Sequence, residues 1–310
     1  FFSEGLPAGA CLQVLHLASP RISRIVGPWF APRYMQGGVY EAIARHRARR
    51  LYSLVWESGS PDAPFHARHH QVIVSVGVPT SKSVSNEDLK QTRDGLVAML
   101  KSLNLGVVEV GPEALIAVID DLTSPTTAPQ DDAVPYNPND PIAAQAIRHD
   151  IELVVAEDRM RLVTERFRPT GKVNDGVPEI GTVYPDAFDV RHFAVRNMPS
   201  RWAPWECARL IGDLFTDKLR FPCPAATMLC LVYPDQEAAS AKAGFKFMRT
   251  TSLAGTRSAR FLPRIGEQAA EWQHVQAELQ EGRRLVRVFY GVTTYSPLGQ
   301  GDRHERAIKS

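Results

Sequence analysis

Residues 151–167, IELVVAEDRMRLVTERF, decide the fold class. Two apolar runs flank the polar pair Glu157-Asp158, a pattern that predicts two strands joined by a tight turn. Such a hairpin pairs its strands antiparallel, whereas the strands of a doubly wound parallel sheet are separated by crossover helices. The stretch therefore favours an antiparallel or mixed sheet over a parallel one.

Strands and helices interleave on both sides of this hairpin. Apolar spacing predicts further strands at 9–17, 69–78, 107–110, 189–197, 225–233 and 284–295. It predicts helices at 38–57, 86–104 and 112–122, across 235–281, and from Asp302 onward. This order is typical of an α+β protein with mixed or antiparallel sheets, packed helices and modules of split-βαβ character.

Three helical segments carry more detailed expectations. Residues 19–34 predict a helical stretch that is broken near Gly27-Pro28. The helix at 38–57 is expected to bury a stripe at 3.6-residue spacing: Tyr40, Ala44, Ala48, Leu51 and Val55. The helix at 86–104 is expected to face inward with its leucines: Leu89, Leu96, Leu100 and Leu103.

Residues 123–140, TSPTTAPQDDAVPYNPND, are rich in Pro, Thr and Asp, a composition that favours a linker. The sequence thus predicts a first α+β module at 1–122, the linker at 123–140 and a second α+β module at 141–310. The chain begins on Phe1 and ends on a helical pattern without a terminator, so we expect it to be a piece of a longer protein.

Composition excludes several classes of function. The net charge of +2 over 310 residues does not by itself indicate nucleic acid or a membrane surface. No apolar run approaches the roughly 20 residues that cross a bilayer, and no signal peptide is evident. The four cysteines, Cys11, Cys207, Cys223 and Cys230, form no C-x-x-C pair and sit in apolar runs. They predict reduced, buried thiols in a cytosolic chain.

The turn at 76–91, VGVPTSKSVSNEDLKQ, resembles a phosphate-binding loop because a Lys-Ser pair separates a strand from a helix. The motif G-x-x-x-x-G-K-[ST] needs glycines so that backbone N–H groups can surround phosphate oxygens. With Lys82 as its lysine, those positions hold Ser81 and Val76. The sequence therefore predicts an ordinary turn capped by Ser85 or Asn86, and no bound nucleotide.

FHARHH supplies three histidines, His66, His69 and His70, that a metal could use on a helix. Because a strand follows, His69 and His70 should point to opposite faces, and no Cys or carboxylate lies close in sequence. We expect a solvated strand edge and no metal site. The sequence also shows no catalytic signature, so neither catalytic nor cofactor-binding residues are predicted.

ARHRARR is the strongest electrostatic feature of the chain. On the helix at 38–57, Arg45, His46 and Arg49 lie opposite the apolar stripe, and they form a candidate docking face for phosphate or anionic lipid. The alternative is a solvated helix face. Trp202 and Trp205 at a helix entrance favour a hydrophobic clamp, with a base-stacking platform as the alternative.

The segment 191–235 resembles the TraC-type ATPases of conjugative type IV secretion, in the part before the motor. The shared features are a Pro-x-x-Trp at Pro199 and Trp202, the LxGDLF helix at 210–215 and the Pro-flanked strand that begins at Pro222-Cys223-Pro224. The strand VIVSVGVP, the linker end YNPNDPI and the strand FYGVTTYSP also fit, so the resemblance extends over nearly the whole chain.

The resemblance implies a cytoplasmic ATPase, hexameric and peripheral on the inner membrane, that powers pilus assembly and DNA transfer. Its ATP, Mg and Walker motifs belong to a RecA-like C-terminal motor domain, which this chain lacks. The expected role of the chain is a non-catalytic module without cofactor or metal that docks the motor on inner-membrane secretion subunits. The alternatives are a nucleic-acid-binding module and a stand-alone enzyme whose site is not visible in the sequence.

Overall fold

The computed structural model describes residues 6–59, 65–79, 85–125, 136–147, 151–156, 159–164, 187–195, 220–256 and 263–309. Within these ranges the strands are β1 Cys11–Ser19, β2 His69–Gly77, β3 Ile151–Ala156, β4 Arg159–Thr164, β5 Ala187–Ala194, β6 Ala225–Val232 and β7 Arg287–Pro297. The helices are α1 Ser23–Met35, α2 Gly38–Ser53, α3 Asn86–Ser102, α4 Pro112–Thr123, α5 Ile142–Ala146, α6 Gln236–Ala254, α7 Pro263–Gln280 and α8 Gly301–Lys309.

The seven described strands form one sheet in the order β2-β1-β6-β7-β5-β4-β3. β3 and β4 are the predicted hairpin, paired antiparallel from Ile151 opposite Thr164 to Ala156 opposite Arg159. The pairs β4–β5 and β5–β7 are also antiparallel. The α+β class is therefore confirmed.

The chain divides into two compact units. The first unit comprises Phe1–Val14, Val74–Val108 and Leu229–Phe289, and the second comprises Leu15–Ile73, Glu109–Met228 and Tyr290–Ser310. The predicted boundaries, 1–122, 123–140 and 141–310, follow the order of the chain, whereas both units combine segments from either side of residues 123–140. Residues 126–135 lie outside the described ranges, so the linker itself stays a prediction.

In the first unit, Leu6, Ala10, Leu12 and Tyr233 form a buried apolar cluster. α3 begins at the predicted cap: Ser85 Oγ accepts from the Asp88 N–H, and the Asp88 carboxylate accepts from the Ser85 N–H. This capping box satisfies two backbone donors that a helix start otherwise leaves without partners.

Two expectations for the first unit are wrong. α3 buries Leu96, but Leu89 and Leu103 are exposed. Residues 107–110, which run from the first unit into the second, form no strand. Val108 is 87% exposed. Periodicity identifies an apolar face but not the element that covers it, and a strand forms only where another strand pairs with it.

In the second unit, the largest fully buried side chain is Phe188 on β5, within a cluster of Leu17, Leu162, Val190 and Tyr295. The Trp56 ring stacks on it with ring centroids 5.7 Å apart. A second cluster joins α1 to α2 and to the turn after α2: Ile22, Val26, Ala48, Tyr52 and Val55. Trp56, in the turn after α2, packs against both clusters and so links the α1–α2 cluster to the sheet residues of the same unit.

Two expectations for these helices need correction. α1 continues through Pro28 and Pro32 instead of breaking at Gly27. A residue before proline normally avoids helical geometry because its Cβ contacts the proline ring, and Gly27 has no Cβ. On α2 the expected Ala44 and Ala48 are buried, but Tyr40 is 63% exposed and Tyr52 is buried instead.

Candidate functional site

The turn between α1 and α2 positions the most distinctive surface of the second unit. Gly37 and Gly38 have φ values of 69° and 56°, in the left-handed region that only glycine adopts at low cost. These two residues reverse the chain, so that α2 packs back along α1. The helix pair is therefore built from two consecutive glycines and the buried cluster around Val26 and Ala48.

A groove of about 560 Å³ lies between the two helices. We name it the α1–α2 groove, and its lining residues are Ile25, Val26, Trp29, His46, Arg47, Arg50 and Leu51. Its floor is apolar, formed by the α1 residues and Leu51. Ile25 is 59% exposed although it is a large aliphatic residue, so the floor is open to solvent. Solvent-exposed apolar floors of this kind are typical of binding grooves.

The rim of the α1–α2 groove is basic. His46, Arg47 and Arg50 are all exposed, and they follow each other on one side of α2. Arg50 is oriented by a hydrogen bond of 2.9 Å from Nη2 to the backbone carbonyl of Gly59. None of the described residues that line the groove is acidic, so the rim presents uncompensated positive potential next to an apolar floor.

The candidate docking face predicted from the sequence, Arg45, His46 and Arg49, is divided by the structure. Arg45 Nη2 lies 2.8 Å from Oε1 of Glu41 and donates to Tyr34 Oη, and its guanidinium stacks over the Tyr34 ring at 5.1 Å. Arg45 is therefore engaged within the helix pair. His46 joins the α1–α2 groove, and Arg49 is exposed on α2 outside its lining.

The docking face predicted from the sequence included neither Arg47 nor Arg50. In the structure these two arginines and His46 surround the same floor. The contribution of α1 could not be seen from the pattern of α2 alone. Ile25 and Trp29 of α1 supply the floor, and they lie 17 or more positions before the rim residues in the chain. Only the α1–α2 turn brings the two sets together.

A row of exposed apolar side chains occupies the turn end of the same helix pair. Met35 is 83% exposed and Val39 72%, and Tyr40 and Ile43 are exposed as well. Large aliphatic and aromatic residues that cluster on a surface mark interaction sites more often than single exposed residues do. The α1–α2 pair thus combines two apolar surfaces with a basic rim.

The FHARHH histidines occupy the edge strand β2 and the segment before it. The His70 ring is exposed and stacks on His16 of β1 with centroids 5.3 Å apart, and His16 Nε2 lies 3.1 Å from His70 Nδ1. Although part of the His70 ring remains open to solvent, partial burial, followed by the charge of the nearby His16, lowers the pKa of His70 to about 4. Within the described part of the chain, no group of three His, Cys, Asp or Glu residues could hold a metal.

Arg68 is a partly buried cation that sequence reasoning missed. Its Nη1 donates to the Phe221 carbonyl at 2.9 Å, and burial lowers its pKa to about 10. His66 lies close by, and burial, followed by the Arg68 charge, lowers the pKa of His66 to about 4. No local pattern could have predicted this contact, because Arg68 and Phe221 are 153 positions apart.

Five residues that carry sequence predictions lie outside the described ranges: Ser81, Lys82, Trp202, Trp205 and Cys207. The predictions for them stay predictions. Among the described helices, none combines the length and the apolar character that crossing a bilayer requires.

The chain as a whole is similar to a known protein family. A sequence model of the TraC protein family matches residues 1–310. The chain belongs to the TraC family. Among curated proteins, "Protein TraC" of Escherichia coli (strain K12) is 23% identical over 255 residues, which cover 79% of this chain and 26% of that protein. The chain thus spans about a quarter of that TraC protein's length.

Membership of the TraC family confirms the resemblance seen in the sequence. At 23% identity the comparison carries no individual residue of the α1–α2 groove from one TraC protein to the other. The role of the groove therefore rests on this chain's own geometry.

Proposed function

We propose that this chain is the N-terminal, non-catalytic docking and assembly module of a TraC-type ATPase of conjugative type IV secretion. In this proposal it couples a C-terminal, hexamer-forming motor domain, which carries ATP and Mg, to inner-membrane secretion subunits for pilus assembly and DNA transfer. The module is cytoplasmic and peripheral on the inner membrane. Its family and the small share of the E. coli TraC protein that it spans support this proposal.

The α1–α2 groove is the proposed docking surface, and the observation that carries it is the basic rim around an open apolar floor. The partner that fits is an acidic amphipathic segment of an inner-membrane secretion subunit. Its apolar side chains would rest on Trp29 and Leu51, and its carboxylates would face Arg47 and Arg50. Helices that bind in grooves use this combination of anchoring side chains and complementary charge.

The two parts of the groove contribute differently to binding. Exposed ion pairs are worth about 0–1 kcal/mol each, so the rim arginines mainly orient the partner and speed its approach. The floor contributes more, because buried aromatic and aliphatic anchors dominate interface energies. Binding should therefore weaken above about 0.15 M salt, where screening acts over roughly 8 Å, but should not disappear.

Two variants of equal charge test the surface. Arg47→Glu reverses a rim residue, and Arg49→Glu reverses an exposed arginine on the same helix outside the groove lining. We expect Arg47→Glu to weaken cosedimentation of the chain with inner-membrane vesicles that contain the secretion subunits, and Arg49→Glu to leave it near wild type. Circular dichroism and thermal melting check that both variants fold.

Different results would overturn parts of the proposal. Loss of binding in Arg49→Glu alone would favour the face predicted from the sequence over the α1–α2 groove. Equal binding to protein-free anionic liposomes would show that lipid, not a subunit, is recognised. Tight binding of naked duplex DNA that Arg47→Glu abolishes would favour the nucleic-acid-binding alternative.

The non-catalytic part of the proposal has its own test. The sequence contains no G-x-x-x-x-G-K-[ST] motif, so no segment offers the glycine-lined cradle of N–H groups that phosphates need. Calorimetric titration of the chain with Mg-ATP should give no saturable heat. Micromolar binding that Lys82→Ala abolishes would contradict this part and leave the docking surface unaffected.

A further inference from the structure

Two cysteines that are far apart in the sequence meet in the first unit. Cys11 lies at the start of β1 and Cys230 near the end of β6, 219 positions later, and the two strands are neighbours in the sheet. Their sulfur atoms are 3.0 Å apart. The strands are held together beside them, because the Tyr233 N–H donates to the Ala10 carbonyl at 2.9 Å.

We propose that Cys11 and Cys230 are a modification site, at which oxidation forms a reversible intramolecular disulfide between β1 and β6. A disulfide needs sulfur atoms about 2.05 Å apart, so the two thiols must approach by about 1 Å, which small side-chain rotations supply. The two side chains already meet across the neighbouring strands β1 and β6, since their sulfur atoms are 3.0 Å apart.

Access favours this pair over the third described cysteine. Cys11 is half-buried and Cys230 is 9% exposed, so a small oxidant can reach the pair from the Cys11 side. Cys223, in the second unit, is fully buried, and its thiol hydrogen-bonds to Ser296. A buried thiol reacts slowly because the thiolate is the reactive form and burial disfavours it.

The reaction balances with glutathione disulfide as the oxidant. The Cys11 thiolate attacks one sulfur of glutathione disulfide, which forms a protein–glutathione mixed disulfide and releases one glutathione thiolate. The Cys230 thiolate then attacks the Cys11 sulfur, forms the protein disulfide and releases the second glutathione thiolate. The two protein thiols are oxidised, the glutathione disulfide is reduced, and the two thiol protons pass to solvent or to the released glutathione.

The second step is expected to be slow near neutral pH. Burial, followed by the contact with Cys11, raises the pKa of Cys230 to about 11, so few Cys230 side chains are thiolates. Closure should therefore accelerate as the pH rises. Once formed, the bond joins residues 219 positions apart and restricts the unfolded chain, so it should raise the midpoint of thermal unfolding.

The test uses the full chain, native and reduced, incubated with glutathione disulfide at mildly alkaline pH. Free thiols are then alkylated and the peptides are mapped by mass spectrometry. We expect the loss of two of the four free thiols and one linked peptide pair that contains Cys11 and Cys230, reversed by dithiothreitol. The linked chain should remain monomeric on non-reducing gels and melt at a higher temperature than the reduced chain.

Single variants make the result specific. Cys11→Ser and Cys230→Ser should both lose the linked peptide pair. Cys230→Ser should stop at a mixed disulfide between Cys11 and glutathione, whereas Cys207→Ser should behave as wild type. The peptide map of the unmodified chain tests the proposal even if a variant does not fold. Full alkylation of both cysteines after oxidation, or linkage of either one to Cys207, Cys223 or a second chain, would overturn it.

Discussion

The Nε atom of Arg21 lies 2.9 Å from Oδ1 of Asp121, and both side chains are almost fully buried. The same guanidinium contacts Oδ2 of Asp120 at 2.7 Å through Nη1 and donates to the Ser124 carbonyl at 2.8 Å through Nη2. Arg21 precedes α1, and the two carboxylates lie at the end of α4. One buried cation therefore joins segments about 100 positions apart in the second unit.

Replacing Arg21 should destabilise the chain strongly. Arg21→Met removes the buried cation that both carboxylates contact, a change that typically costs about 3–5 kcal/mol. Arg93→Met is the control, because Arg93 pairs with Asp94 on the exposed surface of α3 and such pairs contribute less than about 1 kcal/mol. Urea unfolding measures both. If both variants lost the same free energy of unfolding, the buried Arg21 contacts would stabilise the chain no more than an exposed ion pair does.

Asp121 should make stability depend on pH. Burial raises the pKa of Asp121 above its ordinary 3.8, although the charges of Arg21 and Arg24 oppose the shift. Between 3.8 and the raised pKa the folded chain binds more protons than the unfolded chain, so this residue lowers the free energy of unfolding as the pH rises.

Asp121→Asn removes that titration. As the pH rises from about 4 to neutrality, wild type should therefore lose unfolding free energy relative to the variant. The exposed Asp94→Asn is the control and should show a flatter difference. A shift in the opposite direction would mean that the arginines, not burial, dominate the Asp121 environment.

The turn that builds the α1–α2 groove should depend on Gly37. Its φ of 69° and ψ of −176° place it in a region that only glycine adopts readily, so Gly37→Ala should cost about 1–3 kcal/mol. Gly266→Ala is the matched control: Gly266 lies in α7, where an added Cβ meets no atom within 4 Å. Alanine there should stabilise by up to about 1 kcal/mol. Thermal melts that move in the same direction for both would contradict this.

His66 should contribute to unfolding in acid. Burial, then the charges of Arg68 and Arg220, lower the pKa of His66 from 6.5 to about 4. Between pH 6.5 and about 4, His66 is therefore protonated in the unfolded chain but neutral in the folded chain. Its contribution to the free energy of unfolding is fully present above pH 6.5 and is lost as the pH falls towards 4.

His66→Gln should consequently lose less stability than wild type between neutrality and about pH 4. His274→Gln is the control, since the His274 side chain is 75% exposed. Urea midpoints over this pH range give the comparison. If both variants follow wild type, protonation of His66 is not resisted by its surroundings.

Local signals predicted most elements of the sheet and helices correctly. The β3–β4 hairpin follows from two apolar runs around a polar pair, and the start of α3 follows from the Ser85–Asp88 capping box. These contacts join residues that are near each other in the sequence, so their free energy depends little on the rest of the fold. The same reasoning failed at residues 107–110, where strand formation required a distant partner.

The α+β class, the identity of most elements and the resemblance to the TraC family follow from short patterns that a single segment contains. The contacts of Arg21 with Asp121 and of Cys11 with Cys230, and the position of Arg47 and Arg50 around a floor supplied by α1, arise only when distant segments fold together. Such contacts depend on which distant segments pack together. That choice minimises the free energy of the whole chain, and no local pattern encodes it.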